Sequence, residues 1–144
     1  MAQTEQSFDQ VIGGGDLSLK TAAASDLSGQ QYYGCKLDSD GHTVIAAAGD
    51  ALFILQDKPI GDRVGSYRVL GASYAHFGGT VTPGQYVTSD AYGKIVAATP
   101  GSANTGTGAI TGSNILGFCV IGGLVDETGT VFLCPGGELP GTAA

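Results

Sequence analysis

One strand–turn–strand pattern occurs twice, as QYYGCKLDSDGHTVIAAAGD (31–50) and as QYVTSDAYGKIVAATPGS (85–102). In each copy an apolar run leads into an Asp-x-x-Gly turn, and a second run rich in small residues follows. Asp at the first position of such a turn accepts hydrogen bonds from the backbone amides ahead of it, and Gly at the fourth relieves the backbone. The pattern predicts two copies of one β-hairpin.

The repeat continues beyond the hairpins. LFILQDKPIGDRVGSYRVLG (52–71) parallels ILGFCVIGGLVDETGTVFLCPG (115–136), and the longer spacing of the second copy comes from PGSANTGTGAITGS (100–113). A unit that cannot bury both of its faces packs on a second unit. We therefore predict two copies of a four-strand unit, arranged as a pseudo-twofold small barrel or sandwich.

The rest of the chain fits an all-β fold with three parts. Glycine makes up 25 of 144 residues, hydrophobic residues make up 42%, and no long segment keeps a helical period. Short runs bounded by Gly, Asp, Pro or Asn are typical of strands, including LSLKTAA (17–23) and SYAHF (73–77), and DETG (126–129) predicts a third Asp-x-x-Gly turn. We expect an extended N-terminal arm (1–17), a β domain (18–137) and a C-terminal tail (138–144).

Charge and hydrophobic run length exclude two classes of partner. The net charge is −7, so no basic stripe is available to bind nucleic acid. The longest apolar runs, VIAAA (44–48) and ALFIL (51–55), are far shorter than the roughly 18–20 residues of a membrane span. The first residues lack the basic and apolar parts of a signal peptide, which predicts a cytoplasmic site of synthesis. In such a compartment Cys35, Cys119 and Cys134 are expected to be free, buried thiols.

No catalytic, cofactor-binding or metal-binding residues are predicted. Asp38–His42 begins like a calcium loop, but the residue six positions after Gly41 is Ala47, where such a loop needs Glu. The sequence has no G-x-S-x-G nucleophile motif. We therefore expect a protein that is not an enzyme and has no cofactor.

Two groups of residues are candidates for protein contacts. The arm has apolar side chains at Phe8, Val11 and Ile12, with Gly13, Gly14 and Gly15 as a hinge, and an extended arm suits the addition of a strand to a partner's sheet edge. The second group is the tyrosines. Tyrosine is favoured where one end of the ring is buried and the other is wet, as at subunit interfaces. Tyr74, Tyr86 and Tyr92 are therefore the candidate subunit interface.

Two stretches carry a resemblance to a known family, LQDKPIGDRVGSYRVLG (55–71) and TPGQYVTSDAYGKIV (82–96). Over about residues 18–137 the chain resembles the small capsid decoration (cement) proteins of tailed bacteriophages. The resemblance implies a β-tulip-like domain, a homotrimer, and an arm that contacts the major capsid protein. It further implies a structural protein made in the host cytoplasm, which binds the outer face of the virion head and stabilises contacts between capsid subunits.

Two alternatives of other classes remain open. A structural module of a phage tail or fibre would have the same kind of sequence. A small metal-binding or enzymatic β-barrel would need a pocket of converging polar groups, which the sequence does not indicate.

Overall fold

A computed structural model gives the structure of residues 15–98 and 114–134. The described residues form an all-β protein with the strands β1 (Asp16–Lys20), β2 (Gly34–Leu37), β3 (Thr43–Ile45), β4 (Phe53–Leu55), β5 (Val64–Arg68), β6 (Gly71–His76), β7 (Tyr86–Ser89), β8 (Ile95–Ala97), β9 (Gly117–Ile121) and β10 (Thr128–Leu133). Within these ranges no helix is long and apolar enough to cross a bilayer.

The strands form two five-stranded antiparallel sheets with the same internal order. The first sheet runs β1-β5-β4-β2-β3 and the second runs β6-β10-β9-β7-β8, so every strand of the first has its counterpart five strands later. The predicted internal repeat is thus confirmed. The predicted four-strand unit is wrong, because β1 and β6 precede the repeated segments and complete each sheet.

Each sheet curls until its two outer strands meet. A single parallel bridge joins Thr21 to Thr43 in the first sheet, and the equivalent bridge joins Phe77 to Ile95 in the second. Because each sheet is curled, side chains on one of its faces pack against one another, in addition to the packing between the two sheets. The result is the predicted small barrel or sandwich, built from two packed sheets.

Two of the three predicted Asp-x-x-Gly turns are confirmed. The carboxylate of Asp38 accepts the amides of Asp40 and His42 (both 2.9 Å), and Asp90 repeats this pattern at the β7–β8 turn. The turn predicted at 126–129 is wrong. The chain instead turns two residues earlier, over 124–127, where the Glu127 amide bonds the carbonyl of Leu124 and Asp126 takes a left-handed backbone conformation (φ 63°).

The core has two parts. The first sheet encloses a small cluster made of Leu27, Cys35, Phe53, Leu55 and Tyr67. The larger cluster belongs to the second sheet and to the contact between the sheets, where Ala46, Ala51 and Ile54 of the first sheet join Ala75, Phe77, Val81, Val87, Ile95, Leu116, Cys119, Val131 and Leu133. The two sheets therefore pack on each other through this larger cluster, and most of its buried residues come from the second half of the chain.

The predicted arm ends earlier than expected. Asp16 and Leu17 belong to β1, where they pair with Arg68 and Tyr67 of β5. Residues 1–14 lie outside the described ranges, as do the loop over 99–113 and the C-terminal segment over 135–144.

Candidate functional site

The outer surface of the second sheet carries a row of aromatic side chains. Tyr86 of β7 lies opposite Phe118 of β9, and Phe118 lies opposite Phe132 of β10. Residues directly opposite each other in neighbouring strands project from the same face. The rings of Phe118 and Phe132 are stacked, with centroids 5.6 Å apart and planes inclined by 25°.

Tyr74 and Val120 extend this row. Tyr74 of β6 lies opposite Thr130, two residues before Phe132 on β10, and Val120 of β9 is 47% exposed at the point where the register between β9 and β10 shifts. Tyr74 is 58% exposed and Tyr86 is 55% exposed. We call these five residues the aromatic face (Tyr74, Tyr86, Phe118, Val120 and Phe132). With four aromatic side chains about half exposed, it presents on the order of 400 Å² to solvent, the size of patch that is often functional.

The equivalent surface of the first sheet is different. The counterpart of Phe118 is Ile54, which is fully buried against the second sheet. The counterpart of Tyr86 is Gly34, whose amide donates to the carbonyl of Gly93 in the β7–β8 turn (2.6 Å). A Cβ at Gly34 would lie 2.9 Å from that of Ala51, so only glycine allows this close approach. The second sheet thus covers this face of the first, while on the same face of the second Tyr32 packs against Tyr74, and Tyr86, Phe118 and Phe132 stay exposed.

The polar groups beside the aromatic face already have partners. Arg68 forms a two-pronged pair with Asp16 (2.7 and 3.2 Å) and also donates to the carbonyl of Ala72 (2.7 Å). The hydrogen bonds that Arg68 donates to Asp16 raise the pKa of the Arg68 guanidinium, so this side chain stays charged. Arg68, Ala72 and Tyr74 help to line an open depression of about 230 Å³. The face itself carries no acidic or basic side chain.

The structure brings together two of the three tyrosines in the predicted interface. Tyr74 and Tyr86 share the aromatic face, and Tyr74 also packs edge-on against Tyr32, which lies in the turn before β2 (centroids 5.3 Å apart). Tyr92 is 73% exposed but lies in the β7–β8 turn, at the opposite end of β7 from Tyr86. Tyr92 therefore does not belong to this face.

Phe118, Val120 and Phe132 were missed by the sequence analysis. The signal was present in ILGFCVIG (115–122), where apolar residues occupy both alternating positions of a strand. Such a run indicates burial on both faces of a sheet. On β9 Cys119 is buried in the core, whereas Phe118 and Val120 are exposed.

The charged clusters of the described residues are small and exposed. Asp126 accepts from Lys94 (2.7 Å) and lies 3.4 Å from His76, and the Lys94 bond, followed by that of His76, lowers the pKa of the Asp126 carboxyl. Asp38, Asp40 and His42 place ligand atoms within 4.8 Å of one another. The Asp38 carboxylate already serves the turn amides, so this arrangement has the ordinary geometry of an Asx turn.

The predicted hinge is only partly visible. Gly15 is buried against Leu70, and its carbonyl accepts the amide of Val69 (2.7 Å), so it is a fixed residue and not a free hinge. Gly13, Gly14 and the arm contacts Phe8, Val11 and Ile12 lie outside the described residues.

Comparison with known proteins gives a likeness of fold. No family model and no curated protein sequence matches the chain. Among solved structures, the chain is similar to the N base of head fiber gp8.5 of bacteriophage phi29, with a TM-score of 0.59 and 14% sequence identity. The match covers 83% of this chain and 94% of that one. Almost the whole of that base therefore has a counterpart here.

Proposed function

We propose that this protein is a non-enzymatic structural protein of a phage head, bound to the outer face of the capsid. Two independent observations support the proposal. The sequence resembles phage decoration proteins, and the fold is similar to the base of a phage head fiber. The negative net charge suits the outside of a shell better than a surface that faces packaged DNA.

The second part of the proposal is that the chain forms a homotrimer. The observation that supports this part is the aromatic face. The second sheet covers the face of the first at Ile54 and Gly34, whereas Tyr86, Phe118 and Phe132 on the same face of the second sheet are exposed among the residues that the structure describes. Aromatic residues are enriched and charged residues are depleted at the centres of protein interfaces. Because the aromatic face is uncharged, two chains of net charge −7 can meet there without burying a carboxylate.

Contact with the major capsid protein is the third part. Phe8, Val11 and Ile12 of the arm are proposed to add a strand to an exposed sheet edge of that protein. Three copies of a weak contact reinforce each other when the chains are joined, because the second and third contacts form at high effective concentration. Together the three chains would stabilise the contacts between neighbouring capsid subunits.

Binding to phage heads assembled without this protein tests the proposal. The purified protein is expected to co-sediment with such heads, and a cryo-EM map of the particles is expected to show three-lobed density on their outer surface. A chain that lacks residues 2–12 should keep its melting temperature and bind heads more weakly. Absence of binding by the full chain would contradict the proposed function.

The aromatic face is tested in solution and on heads with a double variant, Phe118→Ser/Phe132→Ser. We expect light scattering to show a multiple of the 14.4 kDa chain mass for the unchanged protein and a smaller mass for this variant. Val64→Ser is the matched control, because Val64 is an exposed apolar side chain on the first sheet. An equal effect of both changes would contradict a role specific to the face.

The base of a phage fibre is the second candidate, and the name of the structural neighbour favours it. The two functions differ in what the bound protein does to the head. A decoration protein raises the temperature at which heads lose their DNA, whereas a fibre base leaves that temperature unchanged and holds a further protein. Heating heads with and without the bound protein separates the two.

A further inference from the structure

Three leucines of the first sheet are exposed at positions that are closed in the second sheet. Leu17 is 45% exposed, Leu37 is 41% exposed and Leu52 is 43% exposed. The residues at the equivalent positions of the second sheet are all at least 97% buried, and they are Ser73, Ser89 and Leu116. We call the three leucines the leucine patch.

The strand pairing fixes these equivalences. Each sheet is closed by one parallel bridge, and Leu17 and Ser73 each lie four residues before the first residue of that bridge. Leu37 and Ser89 each lie directly opposite the second residue of the bridge. The third pair stands immediately before β4 and β9. The three positions are therefore the same places in the two copies.

In the second sheet, the first sheet covers these positions. The hydroxyl of Ser73 accepts from the side-chain amide of Gln56 (2.9 Å), and the hydroxyl of Ser89 accepts from the backbone amide of Ala51 (3.1 Å). Leu116 lies in the same buried cluster as Ala51. One surface of the first sheet thus closes all three positions of the second.

The surface that does the covering also has an equivalent. Gln56 and Ile54 lie four and two residues after Leu52, and Val120 and Phe118 lie four and two residues after the equivalent leucine of the second sheet. Val120 and Phe118 belong to the aromatic face. The chain therefore carries both halves of a second contact of this kind, the aromatic face on one sheet and the leucine patch on the other, and both are exposed.

We propose that the aromatic face of one chain packs on the leucine patch of a second copy of the chain. This contact would repeat between chains the contact that the first sheet makes with the second sheet within a chain. Val120 of one copy would then lie against Leu17 of the other, as Gln56 lies against Ser73 within the chain.

The geometry of this contact is head-to-tail, because it joins two different surfaces. A head-to-tail contact closes into a ring when its rotation allows, whereas two aromatic faces packed on each other would give a twofold dimer. A closed ring of three chains is the homotrimer of the proposed function, and the inference rests on that part of it.

The chemistry of the two surfaces suits this pairing. The aromatic face carries no charged side chain, and the charged neighbours of the leucines already have partners. Asp16, next to Leu17, pairs with Arg68 (2.7 Å), and Lys36, next to Leu37, pairs with Asp50 (2.8 Å). Docking therefore removes apolar side chains from water without burying an unpaired charge, which would be costly.

Serine substitution tests the role of the leucine patch. Leu17→Ser/Leu37→Ser gives the first sheet the residues that the second sheet has at these positions. We expect light scattering to show the mass of a single chain, 14.4 kDa, at a concentration where the unchanged protein forms trimers. Ile60→Ser/Val64→Ser is the matched control, because both side chains are apolar and exposed, and it should leave the trimer intact.

The outcomes separate this inference from the proposed function. A trimer that survives in the folded leucine variant would overturn the inference, and circular dichroism checks the folding. If the double variant of the aromatic face described above then still loses the trimer, the proposed homotrimer stands and only this geometry is wrong. A single-chain mass for the unchanged protein would contradict the homotrimer itself.

Cross-linking tests which surfaces meet. In a Cys134→Ala background, Val120→Cys/Leu17→Cys is expected to form disulfides between chains under mild oxidation, seen as dimers and trimers on a non-reducing denaturing gel. Val120→Cys/Val64→Cys is the control and should stay monomeric on the gel. Val120→Cys alone should do the same, because head-to-tail packing keeps the two aromatic faces apart. Cross-linking of this single variant, equal cross-linking of the control, or no link between positions 120 and 17 would overturn the proposal.

Discussion

At the scale of single residues, Gly65 and Gly129 leave room for a buried aromatic ring in each of the two copies. They occupy equivalent positions in β5 and β10, and each lies over a buried aromatic ring. A Cβ at Gly65 would lie 3.0 Å from the hydroxyl of Tyr67, and one at Gly129 would lie 2.5 Å from Cε2 of Phe77. Tyr67 belongs to β5, whereas Phe77 lies just after β6. The aromatic ring that packs against the glycine therefore comes from different positions in the two copies.

Gly129→Ala is expected to lower the free energy of unfolding by about 1–3 kcal/mol, the usual cost of overpacking a core. The added methyl would also lie 2.2 Å from the carbonyl oxygen of Ile121, which is backbone and cannot move aside. Urea unfolding measures the change. Gly29→Ala is the control, because its Cβ would meet no atom within 4 Å, and we expect a change within about 0.5 kcal/mol. Similar losses in both variants would contradict this explanation.

The cysteines differ in their access to solvent. All three are free, as predicted; Cys35 and Cys119 are buried, but Cys134 is only partly buried, which corrects the expectation for that residue. Burial raises the pKa of the Cys35 thiol to about 12 and also raises that of Cys119. A raised pKa means that both thiols stay neutral, and so unreactive, at pH 8.

We therefore expect a thiol reagent at pH 8 to label Cys134 rapidly in the folded protein, and Cys35 and Cys119 only on unfolding. Mass spectrometry of the labelled peptides gives the order of reaction. Rapid labelling of Cys35 in the folded state would show that the first core opens easily. A Cys134→Ala variant is the control and should lose the fast phase alone.

At the scale of elements, the two copies differ in the chemistry of their cores. In the first copy the Tyr67 hydroxyl is buried and bonds the hydroxyls of Thr21 (3.0 Å) and Thr43. The bridge that closes the second copy joins Phe77 and Ile95, which are apolar. Because buried hydroxyls are costly only when a partner is missing, both solutions are stable.

Tyr67→Phe is expected to cost about 1–2 kcal/mol of unfolding free energy, since the buried Thr21 hydroxyl loses its bond to Tyr67 and the Thr43 hydroxyl keeps only the carbonyl of Lys20. The triple variant Tyr67→Phe/Thr21→Val/Thr43→Val removes all members of the network and imitates the apolar second copy. We expect it to be more stable than the sum of its single changes predicts. Additive losses in thermal or urea unfolding would contradict a coupled network.

At the scale of the whole molecule, comparison of the two copies indicates which connection between strands can be shortened without loss of the fold. Seven residues (46–52) connect β3 to β4, whereas nineteen residues (98–116) connect the equivalent β8 and β9. Asn114 is anchored by its amide to the carbonyl of Gly49 (2.8 Å), so the longer connection returns to the first sheet before β9 begins.

Replacing residues 100–112 by a short turn is expected to change the unfolding free energy by no more than about 1 kcal/mol, because loop entropy grows only slowly with length. Thermal unfolding with a circular dichroism signal measures this. Asn114 is retained, so the bond to Gly49 is preserved. A loss of the folded state would mean that the replaced residues pack on the core.

The strands, two of the three Asp-x-x-Gly turns and the existence of a repeat could be predicted from the amino-acid sequence. These features depend on alternating apolar residues and on hydrogen bonds between residues a few positions apart, such as Asp38 with the amide of His42. The third turn was misplaced because Asp126 adopts a left-handed conformation, for which Asp is suited as well as for the first position of a turn.

Which apolar residues lie in the core and which lie on the surface depends on how the two sheets pack together. Ile54 and Phe118 hold equivalent positions in similar strands, yet Ile54 is buried and Phe118 is exposed. Their burial depends on how one sheet is placed on the other, and that placement is set by long-range packing such as the approach of Gly34 to Gly93. Local patterns carry no record of it, because strand periodicity depends only on neighbours along the chain, whereas burial depends on which surface arrives from elsewhere.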